Sequence, residues 1–328
     1  MAISAVCSLK SLLILLLISA VPAAYLISLE LSPPSTHVFQ YRSTGGFLRE
    51  CAKWDPHAGR FIVSFFEGGV GEVRVPEDYS PGDVLREVQL AKDADVAGNA
   101  SLGLVVDRPR NRVVVAVADA LRNKYSALAA YDLSTWKRLF LTQLSGPEDG
   151  KAFADDVAVD AEGNAYVTDV AGNKIWKVGP DGQLLSTITH PLFTPKQWYK
   201  SLVGLNGIVY HPDGYLLVIH TFTGNLFKVR LPDVSVGLVH VEGSLAFGDG
   251  MELLSPTRLV VAGSSPSARL VESSDGWETA KVVGSFKGPS HRLSTAATVK
   301  DGKVYLSHMF GIGYPEKKHA IVEAVFSA

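Results

Sequence analysis

Across 328 residues, 31 Lys and Arg stand against 33 Asp and Glu, and 47% of the side chains are apolar. That apolar content supplies a full-sized core and excludes collagen-like, disordered and coiled-coil architectures. A net charge of −2 without a basic run excludes a nucleic-acid surface, which needs clustered Lys and Arg.

The N-terminus reads as a separate object. After Lys10, residues 11–29 carry no charge, and residues 12–18 are a compact Leu/Ile run. Small residues follow around Pro22, Ala23 and Ala24, as a signal peptidase requires. The expectation is a signal peptide over 1–24, with the alternative of an uncleaved single-pass anchor to about residue 29, since about twenty apolar residues span a bilayer. Either way the folded part is expected on the secretory route, secreted or lumenal (vacuole and ER included). The sequon at Asn99, with Ser101, fits a glycoprotein of that route. The cysteines are Cys7 and Cys51; cleavage removes Cys7, and two cysteines make neither a disulfide framework nor a thiolate zinc site.

The remainder repeats itself. Residues 155–169 form an apolar run, a turn and a second apolar run, and residues 206–220 and 249–263 have the same form and length. Looser copies begin at Glu50, Ser101 and Thr295. Asp-Gly, Pro-Asp-Gly and similar turns between the runs make each copy a hairpin. The starts fall 43–54 residues apart, a period suited to a four-stranded propeller blade. The pattern predicts an all-β, six-bladed β-propeller over 31–328, preceded by the hydrophobic leader. Too little chain follows Thr295 for a whole blade, so residues 37–41 are expected to donate its closing strand and hide the open edge.

In such a ring the starts of the inner strands gather at one mouth. Glu50, Ser101, Asp155, Asn206, Asp249 and Thr295 would face one another there, and four of the six are Asp, Asn or Glu. Hard cations such as Ca²⁺ take six to eight oxygens from such groups, backbone and water. The His residues lack zinc-ligand spacing. Calcium is therefore the expected ion, another divalent cation the alternative. Taken singly, each position also reads as an ordinary turn residue; only the phased set points to a metal.

These residues resemble the SMP-30/gluconolactonase/LRE family, six-bladed propellers that include sugar lactonases and are related to paraoxonases. Glu50 with Trp54 is similar to the family's Glu-x-Pro-x-Trp segment, with Ala52 for the Pro. Asn206 and Gly207 match its Pro-Asn-Gly element with Leu205 for Pro, and Asp249 and Gly250 its Pro-Asp-Gly element with Gly248 for Pro. Asp155 and Asp156 resemble the third-blade Asn-Asp, with Asp155 where Asn is usual. The resemblance implies Glu50, Asn206 and Asp249 as metal ligands and Asp155 beside them, holding metal or substrate. It implies a calcium-dependent hydrolase of lactones or related esters, a small-molecule substrate and no membrane partner unless the leader stays.

In that reading the cation polarises the carbonyl, and Asp155 or Asp156 is the first candidate for the base that deprotonates water. His220 and His308 end second strands, return to the same mouth and are the substitutes; the plainer role for both is structural. Asp119 and Asp169 occupy equivalent ends as turn caps. Trp54, Trp176, Trp198 and Phe227 read as packing aromatics, and residues 190–199 as a lid. No Gly-x-Ser-x-Gly or nucleotide-binding glycine motif occurs. The alternative function is a non-catalytic propeller with a structural metal that binds a protein or small ligand. A strictosidine-synthase-like variant would use a catalytic Glu, and no segment aligns with it.

Overall fold

The computed structural model describes residues 9–327 apart from Thr44 and Pro232; Cys7 lies outside them. The chain divides into two units, Met1–His37 and Val38–Ala328. In the first, α1 (Leu9–Leu31) is an apolar helix with Pro22 inside it, and 19 of its residues, Leu13–Leu31, are long and apolar enough to cross a membrane.

The second unit is all β. It opens with β1 (Val38–Ser43), and six antiparallel meanders then follow in chain order. The first is β2 (Arg49–Asp55), β3 (Arg60–Phe65), β4 (Val70–Arg74) and β5 (Val84–Ala91). The second is β6 (Ala100–Asp107), β7 (Arg112–Ala118), β8 (Ser126–Asp132) and β9 (Arg138–Ser145). The third is β10 (Ala154–Val159), β11 (Ala165–Asp169), β12 (Lys174–Val178) and β13 (Leu184–Thr189). The fourth is β14 (Leu205–His211), β15 (Tyr215–His220), β16 (Asn225–Arg230) and β17 (Ser235–Glu242). The fifth is β18 (Gly248–Ser255), β19 (Arg258–Gly263), β20 (Ala268–Glu272) and β21 (Thr279–Phe286). The last has three strands, β22 (Ser294–Lys300), β23 (Lys303–His308) and β24 (Lys317–Glu323).

Its fourth strand is β1, antiparallel to β24 with Val38 opposite Val322 and Ser43 opposite Lys317. The sheets are not six separate units. Short parallel pairings join β1 to β5 and β17 to β21, which leaves two eight-stranded and two four-stranded sheets. The outermost strands of neighbouring meanders run the same way, so where they meet they add a parallel rung.

The second strands β3, β7 and β15 are buried along their whole length, and β19 and β23 after an exposed first residue. The reason is that both faces of each sheet are covered. In β3, Phe61 and Val63 enter the core shared with β1 and Tyr305, while Ile62 enters the core shared with Val113 and Val115 of β7. Alternate residues thus serve opposite neighbours. The six largest apolar clusters each span neighbouring meanders, and the one holding Phe39, Phe61 and Tyr305 joins last to first. The first strands β2, β6, β10, β14, β18 and β22 pack each against the next, and β22 packs against β2. Trp176 and Phe227 are buried in these cores and Trp54 partly so, but Trp198 is 77% exposed. Trp198 sits on a short 3-10 turn outside any sheet, so it packs no core, contrary to the expectation from sequence.

Candidate functional site

Each of the four expected ligand residues is the second residue of a first strand: Glu50 in β2, Asp155 in β10, Asn206 in β14 and Asp249 in β18. The residue before each pairs with the end of the second strand: Arg49 with Phe65, Ala154 with Asp169, Leu205 with His220, Gly248 with Gly263. The register then shifts by one, so two residues oppose one. Such a bulge bends the strand and re-aims the side chain in it. The first bulge position holds the oxygen donor in all four strands.

The second bulge position is Cys51, Asp156, Gly207 and Gly250 in turn. A Cβ at Gly207 would collide with the Asp249 carbonyl, and one at Gly250 would press on the Thr295 carbonyl. Glycine there lets successive first strands approach closely. Thr295 lies in the corresponding shift of β22, and its hydroxyl donates to the Glu50 carbonyl. Ser101 does not join the ring. In β6 the shift comes one residue later, so Leu102 and Gly103 occupy the bulge, and the Ser101 hydroxyl accepts from the Gly69 N–H at 3.0 Å.

Glu50, Asp155, Asp156 and Asn206 are buried, Asp249 partly so. Burial, followed by repulsion from Asp155, Asp249 and Asp156, raises the Glu50 carboxyl well above its ordinary range. Burial and the charges of Asp249 and Asp156 do the same to Asp155. Burial and Asp156 push Asp249 up to about 7, against hydrogen bonds from the Asn206 side chain and the Gly250 N–H. Asp156 rises only to about 6: burial lifts it, while Lys53 and the N–H groups of Val157 and Ile208 hold it down. Those N–H groups donate to the two carboxylate oxygens of Asp156 at 2.8 and 3.2 Å, so Asp156 ties β10 to β14.

One oxygen each of Glu50 (Oε2), Asp155 (Oδ2) and Asn206 (Oδ1) is buried without a hydrogen-bond partner. A buried polar oxygen left unpaired is costly, and three in one ring fit a hard cation in donor chemistry. Among the described residues no three His, Cys, Asp or Glu are gathered as ligands of one ion, so Asn206 would have to complete any such set.

His220 and His308 lie beside the ring, opposite Leu205 and Ser294. Burial lowers His220 to about 4, and burial with the Arg292 charge lowers His308 to about 3. Both are neutral imidazoles whose Nε2 has no partner, and no carboxylate of the ring figures among the charges acting on either. Asp169 caps a turn, accepting from the N–H groups of Phe153, Ala171 and Gly172, and Asp119 does so for Leu121 and Arg122.

Sequence reasoning missed Lys53. Its ammonium donates to Glu252 Oε2 at 2.7 Å and to the Ala297 carbonyl at 2.8 Å, spanning from β2 to β18 and β22 close below the acidic ring. A charged residue in mid-strand reads as outward-facing, and only the ring of first strands turns it inward.

No protein-family model matches the chain, and no curated protein does. Solved structures do. Mala s 1, the major allergen of Malassezia sympodialis, aligns with a TM-score of 0.68 at 16% identity, over 87% of this chain and 96% of the allergen. U3-55K aligns at 0.58 and 8% identity over 89% and 100%. A protein of unknown function from Bacteroides caccae aligns at 0.53 and 17% over 73% and 81%. At these identities the likeness is one of fold, and the fold is of β-propeller type.

Proposed function

We propose that the unit Val38–Ala328 is a six-bladed β-propeller with four strands per blade, the last completed by β1, and that its acidic mouth binds calcium to hydrolyse lactones or related esters. The closed cycle of first strands and the six shared cores support the blade count. One observation carries the site: three buried, unpartnered oxygens on Glu50, Asp155 and Asn206 amid carboxylates whose ionisation burial and mutual repulsion make costly.

Glu50, Asn206 and Asp249 would hold the ion, with Asp155 as the fourth donor. Bound there, calcium would supply a Lewis acid for a carbonyl oxygen and the oxyanion that develops on it. The rest falls to the chain. The bulges fix the donors on strands rather than loops. The Asn206 side chain orients Asp249 through its hydrogen bond. Asp155, with a free Oδ2, is better placed to take a proton from water than Asp156, whose oxygens are engaged. The neutral His220 and His308 are the second choice. Three carboxylates around a +2 ion would tighten binding and leave less charge to polarise substrate. We read α1 as the signal peptide or anchor that brings the unit to the secretory route.

The test is thermal unfolding of the chain from Leu31 onward with calcium and with chelator, for wild type and Asp249→Ala. A native-state ligand at a hundredfold excess over Kd stabilises by about 2.7 kcal/mol. A calcium-dependent rise that vanishes in the variant is expected, followed by turnover in a lactone panel. No calcium response sinks the reading. A second reading, a binding propeller with a structural metal, draws on the engaged oxygens of Asp156; calcium stabilisation without turnover would select it.

A further inference from the structure

We propose that the rim segment 190–203, together with the neighbouring Phe247 loop, is a docking surface for an anionic lipid bilayer. The segment joins β13 to β14 and so lies at the end where the first strands begin, one residue from β14 and its Asn206. From residue 182 to residue 212 the chain has no Asp or Glu, and Lys196 and Lys200 stand within that stretch.

The segment is held firmly from beneath. Phe193 is fully buried and meets Phe227 edge-on at 5.2 Å, and His190 Nδ1 accepts from the Leu192 N–H at 3.2 Å. Above that anchor the apolar groups face water: Trp198 is 77% exposed, Leu202 62%, Tyr199 50% and Leu192 46%. Backbone bonds continue the rim sideways. Thr221 N–H donates to the Gly204 carbonyl and Phe247 N–H to the Thr221 carbonyl, which brings in Phe247, 48% exposed and edge-on to Phe222. The loops 221–224 and 243–247 carry no charge at all.

Exposed Trp, Tyr, Phe and Leu on short anchored turns are costly in water and are the side chains that settle at a bilayer's headgroup level. Lys196 and Lys200 stand among them where they would meet lipid phosphates, and the segment itself holds no carboxylate. Apolar insertion with paired cationic stems is the chemistry of an interfacial anchor. The charge selects the occupant: an anionic surface.

The experiment is co-sedimentation of the chain from Leu31 onward with vesicles of phosphatidylcholine alone or with about a third phosphatidylserine. The leader is removed because it would itself insert, and every apolar core cluster lies in Val38–Ala328. Wild type is expected on the anionic vesicles, with binding that falls as salt rises. Trp198→Ala with Tyr199→Ala should lower partitioning roughly tenfold or more at an unchanged unfolding midpoint. Lys196→Glu with Lys200→Glu should remove the preference for anionic vesicles. No partitioning of wild type overturns the proposal, as does partitioning that survives loss of Trp198 and Tyr199. A dimer that the same double variant dissolves, without lipid binding, would assign the patch to a second copy and overturn it equally. None of these readouts depends on calcium.

Discussion

Strand β2 carries a buried acid at each end. Asp55, at the end away from the mouth, bonds to Arg60 at 3.0 Å and pairs with Arg108, and these guanidinium contacts outweigh burial and hold its carboxyl below the ordinary value. Asp107 at the same end of β6 pairs with Arg112 at 2.8 Å. Glu50, five residues before Asp55, has no such cation in contact. Its neighbours Asp155, Asp249 and Asp156 raise it further, and Lys53 only moderates the rise. Strand β2 therefore pairs its buried acid at one end and crowds it among other acids at the other. Paired acids serve the fold; crowded acids cost stability, a cost that the proposed cation would offset.

That contrast can be broken most directly by mutation. Asp55→Ala should cost about 3–5 kcal/mol, because it strands Arg60 and Arg108 without their carboxylate. Glu50→Gln should move the other way in chelator, gaining on the order of 1 kcal/mol by removing a repelled charge of the same shape. Denaturant titrations of both variants decide it, and a loss in Glu50→Gln as large as that in Asp55→Ala would erase the distinction.

The pH dependence sharpens it. Groups raised in the folded state bind more protons there than when unfolded, so the acidic ring makes metal-free stability fall as pH rises, while the lowered His220 and His308 make it climb below the ordinary histidine range. The fall should begin near the unfolded carboxylate range and run through the values near 6 for Asp156 and near 7 for Asp249. Calcium should flatten that slope by favouring the ionised forms. Unfolding midpoints from about pH 6.5 to 8, above the ordinary histidine range and across the Asp249 value, check the sign with and without chelator; a metal-free midpoint that climbs over this window would contradict the crowding.

For calcium affinity, a modest effect is expected at Lys53. Lys53→Met removes a cation bonded between β2, β18 and β22 just below the ring. It should lose about 1–2 kcal/mol of stability from the broken bonds while tightening calcium a few-fold, as read by isothermal titration. Weaker calcium binding would mean that Lys53 positions the donors rather than offsetting their charge.

Much of this was legible in the sequence, for a definite reason. Turn chemistry phases each hairpin, and the phase placed Glu50, Asp155, Asn206 and Asp249 at one strand position and returned His220 and His308 beside them. The bulge was not legible, because it depends on which residues face each other across two strands. For that reason Ser101 was assigned a place that Leu102 fills. The direction of a mid-strand charge was equally hidden, so Lys53 went unnoticed. Asp156 looked like a free base, yet it occupies a bulge position that is Gly in β14 and β18 and spends its carboxylate on backbone N–H groups. Trp198 looked like core because aromatics usually are; its surroundings are a turn, not a sheet.

The seam between β1 and β24 has a consequence in time. One edge of β1 can meet β5 soon after it is made. The other edge waits for β24, whose Val322 partners Val38 almost the whole unit later. At roughly 5–20 residues per second of synthesis, that edge stays open for some tens of seconds in every nascent molecule. A ribosome that stops short of Lys317 leaves it open for good, so truncation near the C-terminus should yield a sticky chain rather than a slightly smaller one.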